Sequence, residues 1–111
     1  MEWYPSLYKG NSIRASESRL KKLIEHRYPA ATRYYLICLP QANHNQLEIY
    51  QVYQFWKPIF NTGSNQVIGV GRNYSEAMGL VKTILAESIQ AGFKYDMRAF
   101  IEQRWQEMRA D

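Results

Sequence analysis

The sequence predicts an α/β fold: a small parallel sheet of two to three strands with helices packed on it. Three observations carry this. Gln66-Val67-Ile68-Gly69-Val70-Gly71 is a short β-branched run that leads through glycine into the most periodic helical segment of the chain. Residues 33–39 are apolar almost without interruption, which marks a strand buried on both faces, the usual condition in a parallel sheet. Strand-like and helix-like segments alternate along the whole chain. Residues 33–39 and 66–70 are therefore expected to be neighbouring parallel strands, joined by helix-length chain. The alternative is α+β, with residues 46–55 as a strand in an antiparallel sheet.

Taken in order, Tyr4-Pro5-Ser6-Leu7-Tyr8-Lys9-Gly10 reads as an edge strand, where proline is tolerated. Asn11, Ser12 or Ser16 can cap the next helix. Ile13, Leu20, Leu23, Ile24 and Tyr28 form its apolar stripe, Arg19, Lys21, Lys22, Glu25 and His26 face away, and Pro29 ends it. After residues 33–39, Pro40 stops the strand and Gln41 to Asn45 form a polar loop. Residues 46–60, beginning at Gln46, read as a helix with Ile49, Val52, Tyr53, Trp56 and Phe60 on one face, capped by Asn45 with Glu48 three residues on. Asn61 to Asn65 is a turn.

In the central stretch Asn73 caps the long helix, Glu76 reaches back to complete a capping box, and Ser75 competes for the cap. Ala77, Leu80, Val81, Ile84, Leu85 and Ser88 recur at helical spacing. Gly92 stands where a left-handed C-terminal residue is wanted. Gly79 inside the helix implies close packing on the sheet. Asp96 caps a last helix striped by Met97, Phe100, Ile101, Trp105 and Met108, with Tyr95 and Phe100 as a hydrophobic staple.

The 111 residues suffice for a single globular domain, 1–111, with a real core. Apolar residues at 46% and charged residues at 22% argue against disorder. No apolar run approaches bilayer length. Met1-Glu2-Trp3-Tyr4-Pro5 is unlike a signal peptide, so a cytoplasmic location is expected. Cys38, the one cysteine, reads as a buried small hydrophobe. The net charge of +4 is lopsided: residues 1–60 carry eight basic against four acidic side chains, and residues 61–111 carry six of each. Most of the basic excess lies on or beside one helix and reads as a solvated face, so nucleic acid is not an expected partner.

The chain resembles a family of short, uncharacterised proteins of clostridial-type bacteria. The likeness lies in residues 6–10, in Tyr35-Leu36-Ile37-Cys38-Leu39, in Val67-Ile68-Gly69-Val70-Gly71 with Tyr74-Ser75-Glu76-Ala77, in Gly92 and in the aspartate-led last helix. It implies no activity. In the α+β version, residues 67–71 and the long helix are also similar to the last strand and helix of double-stranded RNA-binding domains, without the basic contacts such domains use.

No nucleophile motif or metal-ligand spacing occurs, and His44 has no second ligand nearby. The chain therefore reads as a non-catalytic interaction or assembly protein without a cofactor or metal, a homodimer or the companion of another protein. Its expected interface holds Trp56, Phe60 and Trp105, since aromatic residues make up 14% of the chain. The alternative function is binding of phosphate or nucleotide at the strand-to-helix turn, by Gly69, Gly71, Arg72, Asn73 and Ser75. The third glycine of the dinucleotide fingerprint is missing, because Tyr74 occupies its place. A third reading is RNA binding.

Overall fold

The computed structural model describes residues 1–40, 45–59 and 65–110. Strand β1 (Glu2–Lys9) leads through a loop to helix α1 (Glu17–Glu25), a single 3₁₀ turn at Pro29–Ala31 and strand β2 (Tyr35–Leu39). Strand β3 (Glu48–Gln51) runs directly into the short helix α2 (Val52–Phe55). Strand β4 (Gln66–Gly71), helix α3 (Tyr74–Gln90) and helix α4 (Met97–Ala110) complete the chain. The strands form one mixed sheet in the order β1-β4-β2-β3. Only β1 and β4 are parallel; β2 runs antiparallel to both β4 and β3.

This corrects the expected parallel pair. Residues 33–39 and 66–70 do lie side by side, but Tyr35 faces Gly71 and Leu39 faces Gln66, so they run in opposite directions. The fold is α+β, with a four-stranded mixed sheet in place of a parallel sheet of two or three strands. The continuous apolar run of β2 signals burial on both faces, and helices on both faces supply that burial whatever the strand direction. Leu36 and Cys38 point into a core shared with Leu20 and Ile24 of α1 and Val52 and Phe55 of α2. Ile37 and Leu39 point into a second core with Ala77 and Ile84 of α3 and Phe100, Ile101 and Trp105 of α4. Burial pushes the Cys38 thiol pKa up, which leaves it an inert hydrophobe.

Residues 46–60 are not one helix. Glu48–Gln51 pair with the free edge of β2, with Ile49 packed toward the α3–α4 core and Tyr50 toward the α1 core. The helix-spaced residues Val52 and Phe55 occupy only the four-residue α2, anchored where Val52 N–H donates to Tyr34 O at 2.8 Å. The helical spacing was partly real, but backbone pairing to an open strand edge outweighs it over the first four residues. Phe60, the turn at 61–64 and His44 lie outside the described residues.

Other local expectations hold in form. Strand β1 lies at the sheet edge, and its register against β4 breaks between Trp3 and Tyr8, the segment that contains Pro5. Ser16 caps α1, accepting from Arg19 N–H at 3.3 Å. Helix α1 ends at Glu25, short of Pro29, with Arg27 just past its cap in the left-handed region (φ 56°). Gly92 (φ 90°) closes α3, and Phe93 N–H reaches back to Ser88 O at 2.9 Å.

Asp96 caps α4 through Ala99 N–H. The staple forms with a different partner, however. Tyr95 is 74% exposed, and Phe93 packs on Phe100 with ring centroids 5.8 Å apart. The left-handed Lys94 (φ 56°) separates the two aromatics. Gly79 also departs from expectation: among the described residues, and apart from its own stretch of helix backbone, nothing lies within 4 Å of the position its Cβ would take, so it is not packed on the sheet. Nothing in the structure explains a glycine there.

Candidate functional site

The turn from β4 into α3 sits where three segments converge. Because β1 and β4 are parallel and β2 opposes them, the C-terminal ends of β1 and β4 meet the N-terminal end of β2. The chain leaving β1, the chain entering β2 and the turn leaving β4 therefore share one rim of the sheet. Lys9 fixes the first of these, since its Nζ donates to Ala15 O at 2.9 Å.

The residues singled out from the sequence divide into two groups here. Gly69 and Gly71 are buried, whereas Arg72, Asn73 and Ser75 are exposed at the turn. Gly69 lies inside the sheet, where an added Cβ would stand 3.1 Å from Ile37 Cδ1 and 3.1 Å from Tyr8 O. A Cβ on Gly71 would come within 2.7 Å of Ala77 N, so glycine is what lets α3 begin this close to the strand. Asn73 is the helix cap: its Oδ1 accepts from Glu76 N–H at 2.8 Å.

One amide of the turn, that of Arg72, already holds a carboxylate. Glu76 Oε1 accepts from Arg72 N–H at 2.8 Å, and Oε2 accepts from Ser12 N–H at 3.2 Å and Ser12 Oγ at 2.5 Å. The expected capping box is thus displaced by one residue, to Arg72 instead of Asn73, and extended to the β1 side. Gly10 makes room for it: a Cβ there would lie 1.8 Å from Glu76 Oε1. Burial works to raise the Glu76 pKa, but hydrogen bonds from Ser12 and Arg72 and the Arg72 charge outweigh it and hold the carboxyl below its usual range. Glu76 therefore stays ionised and bridges β1 to α3.

Beside this latch lies a concavity of about 260 Å³ lined by Ser12, Arg14, Arg33, Tyr34 and Arg72, among others. Three exposed arginines from three different segments line it. Among the described residues none of the three enters a salt bridge. No family model, curated protein or solved structure matches the chain. The chemistry of this rim is therefore read from its own residues. Guanidinium groups are planar, permanently charged donors suited to phosphate and carboxylate oxygens. Of the residues that line it, sequence reading identified Arg72 alone. Arg14 and Arg33 are far from it in sequence and share no motif with it; the strand order brings them together.

Of the aromatic residues expected at an interface, Trp56 and Trp105 lie within the described residues. Trp105 is 5% exposed and packs edge-on against Tyr4, with ring centroids 5.4 Å apart. Trp56 is half-buried against the α1 core and donates from Nε1 to Ile24 O at 3.0 Å. Among the described residues no group of three His, Cys, Asp or Glu side chains is placed to hold a metal ion. No helix among them is long and apolar enough to cross a membrane.

Proposed function

We propose that this protein is a small binding module for a phosphate-bearing anion, seated against Arg14, Arg33 and Arg72 on the rim where β1 and β4 end. The observation that carries this reading is that three exposed arginines, without salt bridges among the described residues, line one concavity. Arg14 and Arg72 follow the carboxyl ends of β1 and β4, and Arg33 precedes the amino end of β2, so the sheet order brings the three to one rim. The Arg72 amide does not contact the ligand, because Glu76 holds it. The phosphate sits beside Glu76 and is bound through side chains. An assembly role through Trp56 and Trp105 has less support, since Trp105 is buried within the chain and Trp56 is tied to Ile24.

Titration with inorganic phosphate, followed by amide and arginine side-chain resonances, tests the reading. Saturable shifts at Arg14, Arg33 and Arg72 are expected at millimolar phosphate, weakened about tenfold by Arg33→Ala or Arg14→Ala, the scale of one charge-assisted hydrogen bond. Sulfate and phosphate shifts that never saturate, or that are indifferent to both substitutions, refute it.

A further inference from the structure

Among the described residues every salt bridge uses an arginine of α4: Arg98 pairs with Glu102, Arg104 with Glu87 and Arg109 with Glu2. The cations of the N-terminal half are placed differently. Lys9 is tied to Ala15 O, and Lys21 lies over the Trp3 ring, 5.9 Å from its centroid. Arg14, Arg19, Lys22 and Arg33, with Arg72 across the rim, are exposed and enter no salt bridge among the described residues. Residues 10–34 and 72–76 together hold seven basic and three acidic side chains, a net +4 that equals the net charge of the whole chain. Two of the three acids are engaged elsewhere: Glu25 accepts from Trp3 Nε1, and Glu76 holds Ser12 and the Arg72 amide. Composition alone reads this excess as a solvated face; the fold gathers it on one side without an ion pair.

Beyond the rim, Arg19, Lys22, Leu23 and Tyr28 line a second hollow, of about 170 Å³, beside α1. Two short connections tie it to the rim. Arg14 and Arg19 stand five residues apart across the Ser16 cap, and Tyr28 and Arg33 five apart across the 3₁₀ turn. Five residues of chain reach at most about 18 Å, so the cations of both hollows lie within the span of a few nucleotides. Exposed tyrosines accompany them. Tyr28 is 45% exposed in the second hollow, and Tyr74, two residues after Arg72, is 55% exposed. Unpaired cations interleaved with exposed aromatic rings suit a single-stranded nucleic acid, whose free bases stack on the rings while its backbone follows the cations. A duplex hides its base faces, and an inorganic polyanion has none.

We propose that the phosphate-bearing anion of the rim is a single-stranded nucleic acid, whose backbone continues from Arg14, Arg33 and Arg72 onto Arg19 and Lys22 while one base stacks on Tyr28. This rests on the anion reading of the rim and extends it to α1.

A labelled oligouridine of about twelve nucleotides is the probe, titrated with the full chain and followed by fluorescence anisotropy, beside a duplex and an inorganic polyphosphate of the same length. Saturable binding of the single strand is expected, weakened roughly twentyfold between about 50 and 150 mM salt, as for about four phosphates neutralised. Arg19→Ala combined with Lys22→Ala should weaken the strand about tenfold and leave the phosphate-induced shifts at Arg14, Arg33 and Arg72 unchanged. Tyr28→Ala should weaken it about tenfold, and Tyr28→Phe should restore it. All three side chains are exposed, so the variants should melt as the parent does. The inference is overturned if the strand does not bind saturably, if the duplex or polyphosphate binds as tightly, or if either the α1 pair or Tyr28→Ala leaves strand binding unchanged. Phosphate shifts at the rim without strand binding overturn this inference and leave the rim reading standing; absence of both overturns the two together.

Discussion

Gly10 and Glu76 form a pair whose coupling can be worked out in advance. Replacing Gly10 by alanine places a Cβ 1.8 Å from Glu76 Oε1, 2.2 Å from Cδ and 2.8 Å from Cγ, so the side chain must leave. Its departure breaks the bonds from Arg72 N–H, Ser12 N–H and Ser12 Oγ together. Hydrogen bonds to a charged acceptor contribute about 1.5–3 kcal/mol each when sheltered, but these are partly solvated and share one acceptor, so about 2 kcal/mol for the set is the expected loss. Glu76→Ala removes the same three bonds and should also cost about 2 kcal/mol. The double variant should then cost about 2 kcal/mol, not about 4, because the second change has nothing left to break. Urea unfolding followed by tryptophan fluorescence measures all three, and each single variant should lower the melting temperature by about 8 °C. Additive costs, with a coupling under about 0.5 kcal/mol, would refute the placement of the carboxylate against Gly10.

Two further outcomes follow from the same helix. With its folded-state pKa depressed, Glu76 contributes stability that is complete above its ordinary value of 4.5 and is lost as pH falls through the lower folded value. Urea midpoints between neutral pH and strongly acid solution should therefore fall more steeply for the parent than for Glu76→Gln, and identical acid limbs would contradict this. Gly79→Ala, at an exposed mid-helix position with open space around it, should stabilise the chain by about 0.5–1 kcal/mol, and a lowered urea midpoint would show that the glycine has an unseen structural need.

The segments whose information is local were legible in the sequence. The stripe of α3, the Asn73, Ser16 and Asp96 caps and the left-handed Gly92 depend on residues within one or two turns, and each is found in place. Strand direction was not legible, because the apolar run of β2 records only that both faces are covered. Residues 49–56 carry helical spacing, and the strand at Glu48–Gln51 appears only because β2 offers an open edge to pair with. The arginine rim was one-third visible: Arg72 lies in a recognisable turn, while Arg14 and Arg33 reach it through the sheet order. The Glu76 latch was half visible, since its reach toward the backbone was expected but Ser12 and Gly10, more than sixty residues upstream, were not.

The order of strands has a consequence for how this chain reaches its folded state. Strand β4 lies between β1 and β2, yet it follows both by at least 26 residues of chain. Until it arrives, β1 has no neighbour to pair with, and only the β2–β3 hairpin can form by short-range contact. Insertion of β4 closes a loop of more than fifty residues onto β1 and joins β1 to the β2–β3 pair in one event, which places the rate-limiting step late and makes it depend on distant contacts. During synthesis the first half of the chain therefore keeps the backbone edges of β1 and β2 that β4 will pair with uncovered until residues 66–71 leave the ribosome. That interval is when this protein is most open to aggregation and most dependent on being shielded.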